Sequence, residues 1–240
     1  MPKKTVRIIT TGEPVASVLA KQGSFSTLIR EAAGDAWREK WEEIDARHSE
    51  LLLVGGEVAA VIVTGSPASV LDRDPWMLRT QAYLRDEADL GTPILGVCFG
   101  HQLLAEAFGG RVERNPEGRE IGTVELTVLK ADPLLDPHAQ PFLANMTHVD
   151  AVTRMPKGAE SLAQTAKDPH AIVRFRERVW GVQFHPEITG DVMAAYVRAR
   201  WELLLAEGAD PGAILAAARD ADAGTSVLRR FLGLVASLST

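Results

Sequence analysis

Cys98 is the single cysteine of the chain, and it stands between Gly96 and Gly100 at the end of an apolar run. Gly-x-Cys-x-Gly in that setting is the sulfur counterpart of the Gly-x-Ser-x-Gly nucleophile elbow. The glycines suit a sharp strand-to-helix turn in which neighbouring chains come close. A helix starting there aims unpaired N–H groups and the positive end of its dipole at the sulfur, which favours a thiolate. The Phe99 N–H is then placed to bind an oxyanion. A thiolate nucleophile needs a base, and the base needs an orienting group. Among the six histidines, His185 meets this need, because it lies in Val182-Gln183-Phe184-His185-Pro186-Glu187. In an extended segment residues i and i+2 face the same way, so His185 and Glu187 can point into one cleft. Pro186 stiffens that segment. Glu187 can accept a hydrogen bond from the His185 ring, and the three residues together have the makings of nucleophilic catalysis.

The elements that must position them alternate in type. Residues 5–10 (TVRIIT) form a β-branched run stopped by Gly12 and Pro14, which predicts a first buried strand. Residues 24–33 predict a helix capped by Ser24 or Ser26. Residues 41–46 predict a second strand, although Trp37 and Trp41, four apart, would also suit one helical face. The run 59–63 (AAVIV) predicts a strand that ends in the turn Thr64-Gly65-Ser66-Pro67. Residues 76–90 have helical periodicity up to Gly91, and 93–97 form a short apolar strand leading into Cys98. A helix over 102–108 closes at Gly109-Gly110. Short strands follow at 121–129, 142–145, 151–153, 161–165, 171–176 and 179–184, with a spacing that suits antiparallel pairs. Residues 191–207 and 211–238 read as helical. The expected fold class is α/β: a three-layer α/β/α sandwich with a mixed, mainly parallel central sheet, flavodoxin-like, plus C-terminal helices. We expect one domain over 1–240, with a catalytic core at about 5–193 and a helical extension at 194–240. Open sheets of this kind place their sites at the carboxyl edge, where the elbow lies.

Two segments carry a resemblance. Gly96–Gln102 (GVCFGHQ) and Gln183–Glu187 (QFHPE), in this order and with Gly65-Ser66-Pro67 upstream, resemble the signatures of class I glutamine amidotransferases. The resemblance extends over about 6–193. It implies an α/β/α sandwich and a triad of Cys98, His185 and Glu187. It also implies hydrolysis of the glutamine side-chain amide through a γ-glutamyl thioester, with release of ammonia. By the same resemblance the Gly65 N–H completes the oxyanion hole with Phe99, and the Gln102 side chain helps to hold glutamine. Arg119-Glu120-Ile121-Gly122 resembles the segment that lines the glutamine pocket, which brings in Glu120 and Gly122. Thr147-His148-Val149-Asp150 resembles the Ser-His-Gly-Asp stretch of GMP synthetase glutaminase domains, which brings in His148 as a residue shaping the loop by the site.

Composition excludes several other classes. Of 240 residues 26 are Lys or Arg and 32 are Asp or Glu, so the net charge of −6 offers no cation excess for a nucleic acid. No apolar run is long enough for a membrane span, and MPKKTVRIITTG is too poor in apolar residues for an export signal. One cysteine forms no intramolecular disulfide, and together these features predict a cytoplasmic protein. No metal-ligand spacing and no phosphate-binding glycine loop is present, so neither a metal nor an organic cofactor is expected. His101 reads as local packing, and His48, His138 and His170 as solvated loop residues. Only 53 residues follow Glu187, too few for an ATP-using synthetase domain. The expected protein is therefore a stand-alone glutaminase acting on L-glutamine, with a separate synthetase subunit accepting the ammonia in trans. A hydrolase of γ-glutamyl amides or peptides with the same thioester is the alternative, and a catalytically silent regulatory relative is the third reading.

Overall fold

Two strands rich in β-branched residues, β1 (Thr5–Thr10) and β3 (Val58–Val63), are buried along their whole length. Neither has a solvent face, as expected of parallel strands covered on both sides. The computed structural model describes residues 5–49, 53–138 and 141–238. The remaining strands are β2 (Lys40–Asp45), β4 (Ile94–Val97), β5 (Arg111–Arg114), β6 (Glu120–Val128), β7 (Phe142–His148), β8 (Asp150–Arg154), β9 (Glu160–Gln164), β10 (Ile172–Arg176) and β11 (Val179–Val182). Nine of the strands form one sheet in the order β2-β1-β3-β4-β11-β10-β9-β6-β7, and β5 pairs with β8 in a separate ribbon. The pairs from β2 through to β11 are parallel. From β11 outward the pairs are antiparallel, so the sheet is mixed.

The helices are α1 (Ala16–Gln22), α2 (Phe25–Ala33), α3 (Pro75–Asp89), α4 (Phe99–Ala107), α5 (Gly190–Ala199), α6 (Trp201–Ala206), α7 (Pro211–Ala217) and α8 (Asp222–Leu238). The period-two alternation of the strands feeds two cores. Ile8, Ile62, Leu95 and Val97 face Ile29 of α2 and Leu228 and Phe231 of α8. Ile9, Val61, Val63 and Ile94 face Leu84 of α3 and Leu103 and Leu104 of α4. This is the three-layer sandwich expected from the alternation of elements. A third cluster joins Val18 of α1, Phe25 and Leu28 of α2, and Val192 and Tyr196 of α5.

Several elements differ from the sequence expectation. Trp37 and Trp41 do not share a helix. Trp37 is extended, after a short 3-10 turn at Gly34–Ala36, and its indole N–H donates to the Lys40 carbonyl, while Trp41 sits on β2. β2 is an edge strand with no buried residue, which is why its sequence carries so many charges. α1 has no side-chain cap, and β5 reads RVER, so neither gives a sequence signal. The long helix at 191–207 breaks at Arg200 into α5 and α6. The one at 211–238 breaks where Ala218 turns extended, giving α7 and α8. On α8, Val227, Leu228, Phe231, Leu232 and Val235 are all buried in the first core. Among the described residues no helix is long and apolar enough to cross a membrane.

Candidate active site

β4 runs directly into Cys98, whose N–H donates to the Val182 carbonyl at 2.7 Å and so prolongs the pairing with β11. Cys98 then turns the chain with φ 51° and ψ −100°, and α4 begins at Phe99. Only one other non-glycine among the described residues has positive φ. Such a conformation costs an L-residue on the order of 1–3 kcal/mol and persists only where its surroundings enforce it. The flanking glycines supply that enforcement. A Cβ on Gly96 would lie 2.5 Å from the Gly100 carbonyl, and one on Gly100 would lie 2.5 Å from the Val63 oxygen. β3, β4 and the first turn of α4 therefore touch backbone to backbone beneath the sulfur.

His185 follows β11, and its N–H donates to the Asn145 carbonyl at 2.9 Å. Its ring Nδ1 donates to Glu187 Oε1 at 2.8 Å, with both residues buried. This leaves Nε2 free of Glu187, and Cys98 lies close enough for its charge to act on the ring. Phe25 stacks on the imidazole with centroids 5.9 Å apart. On another side a Cβ at Gly65 would be 2.7 Å from His185 Cε1, so only glycine fits there. Burial pushes the Cys98 thiol up, but the charge and hydrogen bond of His185, with the charge of His148, more than offset it, and its pKa falls. Burial lowers the His185 pKa, yet Glu187 and Cys98 together raise it to about 10. Both directions favour a thiolate–imidazolium pair.

Behind the sulfur lies a buried polar network. Gln183 Nε2 donates to Cys98 Sγ at 3.5 Å. Gln102 Nε2 donates to Gln183 Oε1 at 3.2 Å and to the Asp150 carbonyl at 2.8 Å. His148 Nδ1 donates to the Asp150 carbonyl at 3.0 Å, and its Nε2 is 3.1 Å from Glu120 Oε2. Thr165 also donates to that Glu120 oxygen, at 3.0 Å. Burial works against a charge on His148, but Glu120 and Asp168 outweigh it and its pKa is raised. With an oxygen acceptor at each ring nitrogen, the surroundings of His148 favour its charged form. His101 is the opposite case, since burial and the neighbouring His170 and His148 push it down to about 3, so it stays neutral.

The structure thus gathers Cys98, His185, Glu187, Gln102, His148 and Glu120 in one connected array, with Gly65 against the His185 ring. Gly122 stands apart from it, with φ 122° on β6, where a Cβ would meet Ile214 of α7 at 3.2 Å. His170 is half-buried, with its N–H donating to Asp168 Oδ1, and is not the solvated residue expected of a polar loop. Sequence reasoning missed Gln183 as a site residue, although its place two positions before His185 on an extended segment was a usable signal. Phe25 gave none, because α2 is brought to His185 only by folding. Among the described residues no group of three or more His, Cys, Asp or Glu side chains could hold a metal ion.

A strained cysteine on a strand-to-helix turn, paired to a histidine that a glutamate orients, is a geometry that can be compared with known proteins. The model of the class-I glutamine amidotransferase family matches residues 33–201. The chain belongs to this family. Among the relatives of this amidotransferase-family protein, the glutamine-hydrolysing GMP synthase of Mycobacterium bovis is 35% identical over 193 residues, 78% of the chain and 32% of that enzyme. The GMP synthase of Aeropyrum pernix is 42% identical over 130 residues, 54% of the chain and 24% of that enzyme. The chain therefore spans about a third or less of the length of these relatives. A glutamine amidotransferase from Thermotoga maritima has the same fold, with a TM-score of 0.74 at 20% identity, covering 96% of this chain and 97% of that one.

Proposed function

We propose that this protein is a glutaminase that hydrolyses the side-chain amide of L-glutamine through a γ-glutamyl thioester on Cys98 and yields ammonia to a separate synthetase. The observation that carries the reading is the buried His185 ring, oriented by Glu187 Oε1 at 2.8 Å and close enough to the buried Cys98 sulfur for each to act on the other's charge. In the proposed sequence the thiolate attacks the amide carbon, and the resulting oxyanion is bound by backbone N–H groups at Phe99 and the 65–66 turn. The Gly65 carbonyl accepts hydrogen bonds from the Thr11 and Thr64 hydroxyls, both at 3.0 Å. In a trans peptide the N–H points opposite to the C=O, so the Ser66 N–H turns away from those threonines and joins Gly65 as a candidate donor. His185 gives its proton to the departing nitrogen, then takes one from the water that opens the thioester. Gln183 and Gln102 hold the sulfur and the adjoining loop in place, and His148, fixed by Glu120, adds positive potential behind the nucleophile. Gly122 serves this scheme by letting α7 pack on β6. This chemistry is complete without a metal or an organic cofactor, and we assign the protein to the cytoplasm.

A synthetase partner is supported by the relatives. They are named glutamine-hydrolysing GMP synthases, so in them the hydrolysis of glutamine is joined to a synthase activity. The test is glutamate release from L-glutamine by the purified chain. The Cys98→Ala variant is expected to lose at least about 10³-fold in rate, as removal of a nucleophile from a triad does. Equal release by the variant and the parent chain would remove the reading.

A further inference from the structure

β11 ends at Val182, and the segment that carries His185 and Glu187 leaves the sheet soon afterwards. Residues 185–188 form a tight turn in which the Ile188 N–H donates to the His185 carbonyl at 3.2 Å, with Pro186 in the second position, which its fixed φ suits. A turn beyond the end of a strand needs other groups to hold it. Asn145 lies on β7, the last strand of the sheet. Its carbonyl accepts the His185 N–H at 2.9 Å, and its side-chain Nδ2 donates to the Ile188 carbonyl at 2.7 Å. Both ends of the turn are thus tied to one residue. Asn145 is buried, and both its amide nitrogen and its amide oxygen are engaged. Nδ2 donates also to the Arg219 carbonyl at 3.2 Å, and Oδ1 accepts at 2.8 Å from the hydroxyl of Thr123, its partner across the β6–β7 pair.

The chemistry of these partners selects an amide. Two carbonyl oxygens need two N–H donors, which fixes the orientation of the side chain, and the hydroxyl needs an acceptor. A leucine here would leave both carbonyls without their donor, and an aspartate would set its charge against them. The clamp continues into the joint between α7 and α8. The Arg219 N–H donates to Thr123 Oγ1 at 3.1 Å, and Asp220 Oδ1 accepts from the Gly190 N–H, at the start of α5, at 2.8 Å. Sulfur and imidazole act on each other's charge only while the turn keeps its place, and a catalytic array tolerates a displacement of about 0.5 Å. We propose that Asn145 is a positioning residue, which clamps the His185–Ile188 turn so that His185 and Glu187 keep their place beside Cys98. This deepens the thioester reading, on which its effect on turnover rests.

Cys98 is the only cysteine, so the pH profile of alkylation by iodoacetamide on the full chain reads this one site. Asn145→Ala should slow alkylation at neutral pH at least about tenfold against the parent chain, with the onset moving up toward the free-thiol range. Its kcat for glutamate release should fall on the order of 10²-fold with KM within about threefold, as a misplacement of about 1 Å does. Leu84→Ala truncates α3 in the second core, so it weakens the fold without touching the turn and should leave the alkylation profile in place. Thr123→Val puts a methyl group where the hydroxyl supports Asn145 Oδ1, and it serves where Asn145→Ala does not fold. It should move the onset the same way, and Thr123→Ser should restore it. An Asn145→Ala profile that matches the parent's, or an equal shift in Leu84→Ala, overturns the proposal. Where Asn145→Ala does not fold, an unmoved Thr123→Val profile overturns it. Failure of the glutaminase reading is seen separately, as absent glutamate release by the parent chain with the Asn145-dependent alkylation shift intact.

Discussion

At the scale of single residues the site works by opposing burial with charge. Cys98 and His185 are both buried, and burial alone would leave each neutral. The pair escapes that outcome because each supplies the other's counter-charge, and Glu187 anchors the cation. The thiol lies below its ordinary range and the imidazole above its own, so the ion pair is present between the two and the apparent values belong to the pair. Alkylation of Cys98 by iodoacetamide should accordingly begin at a pH below that of a free thiol, near 8.5. An onset at or above the free-thiol value would mean that His185 does not charge the sulfur. Glu187→Gln removes the anchor of the imidazolium, so the alkaline limb of the glutamate-release profile should move to lower pH, with a drop in kcat on the order of 10²–10⁴-fold. An unmoved limb would show that Glu187 does not hold the ring. Much of this was legible beforehand. A cysteine between two glycines, and a histidine two residues from a glutamate, are local patterns with one geometric meaning each. The Phe25 stack was not legible, because residues 25 and 185 meet only after separate elements have packed.

At the scale of elements the elbow depends on close approach. β3, β4 and α4 meet through Gly96 and Gly100, and neither has room for a methyl group. Gly96→Ala places a carbon 2.5 Å from the Gly100 carbonyl, a backbone atom that cannot swing aside. Overpacking of this kind costs about 1–3 kcal/mol, so the thermal midpoint should fall by several degrees. Glutamate release should fall further than stability does, since α4 carries the Phe99 N–H. A variant with full turnover would mean that the helix can shift without moving its donor. The same elements show what sequence periodicity conveys. Runs such as VAAVIV in β3 are apolar throughout because both faces are covered, and they read as strands at sight. β5 and the breaks at Arg200 and Ala218 do not, because a four-residue charged strand and a one-residue change of backbone direction leave the hydrophobic period almost unaltered.

At the scale of the whole molecule the last helix and the first strand close one core. Phe231 of α8 is fully buried and meets Trp180 of β11 edge-on, with centroids 6.1 Å apart. Phe231→Ala should cost about 3–5 kcal/mol, measured by urea unfolding, and a loss under about 1 kcal/mol would place α8 outside the cooperative fold. The positive φ at Cys98 has a consequence for the molecule as a whole. Glycine takes that conformation without penalty, so Cys98→Gly should unfold at a higher temperature than the parent chain. A library selected only for heat resistance would then drift toward glycine at position 98 and lose its chemistry first, which makes the nucleophile the residue that durability alone would discard.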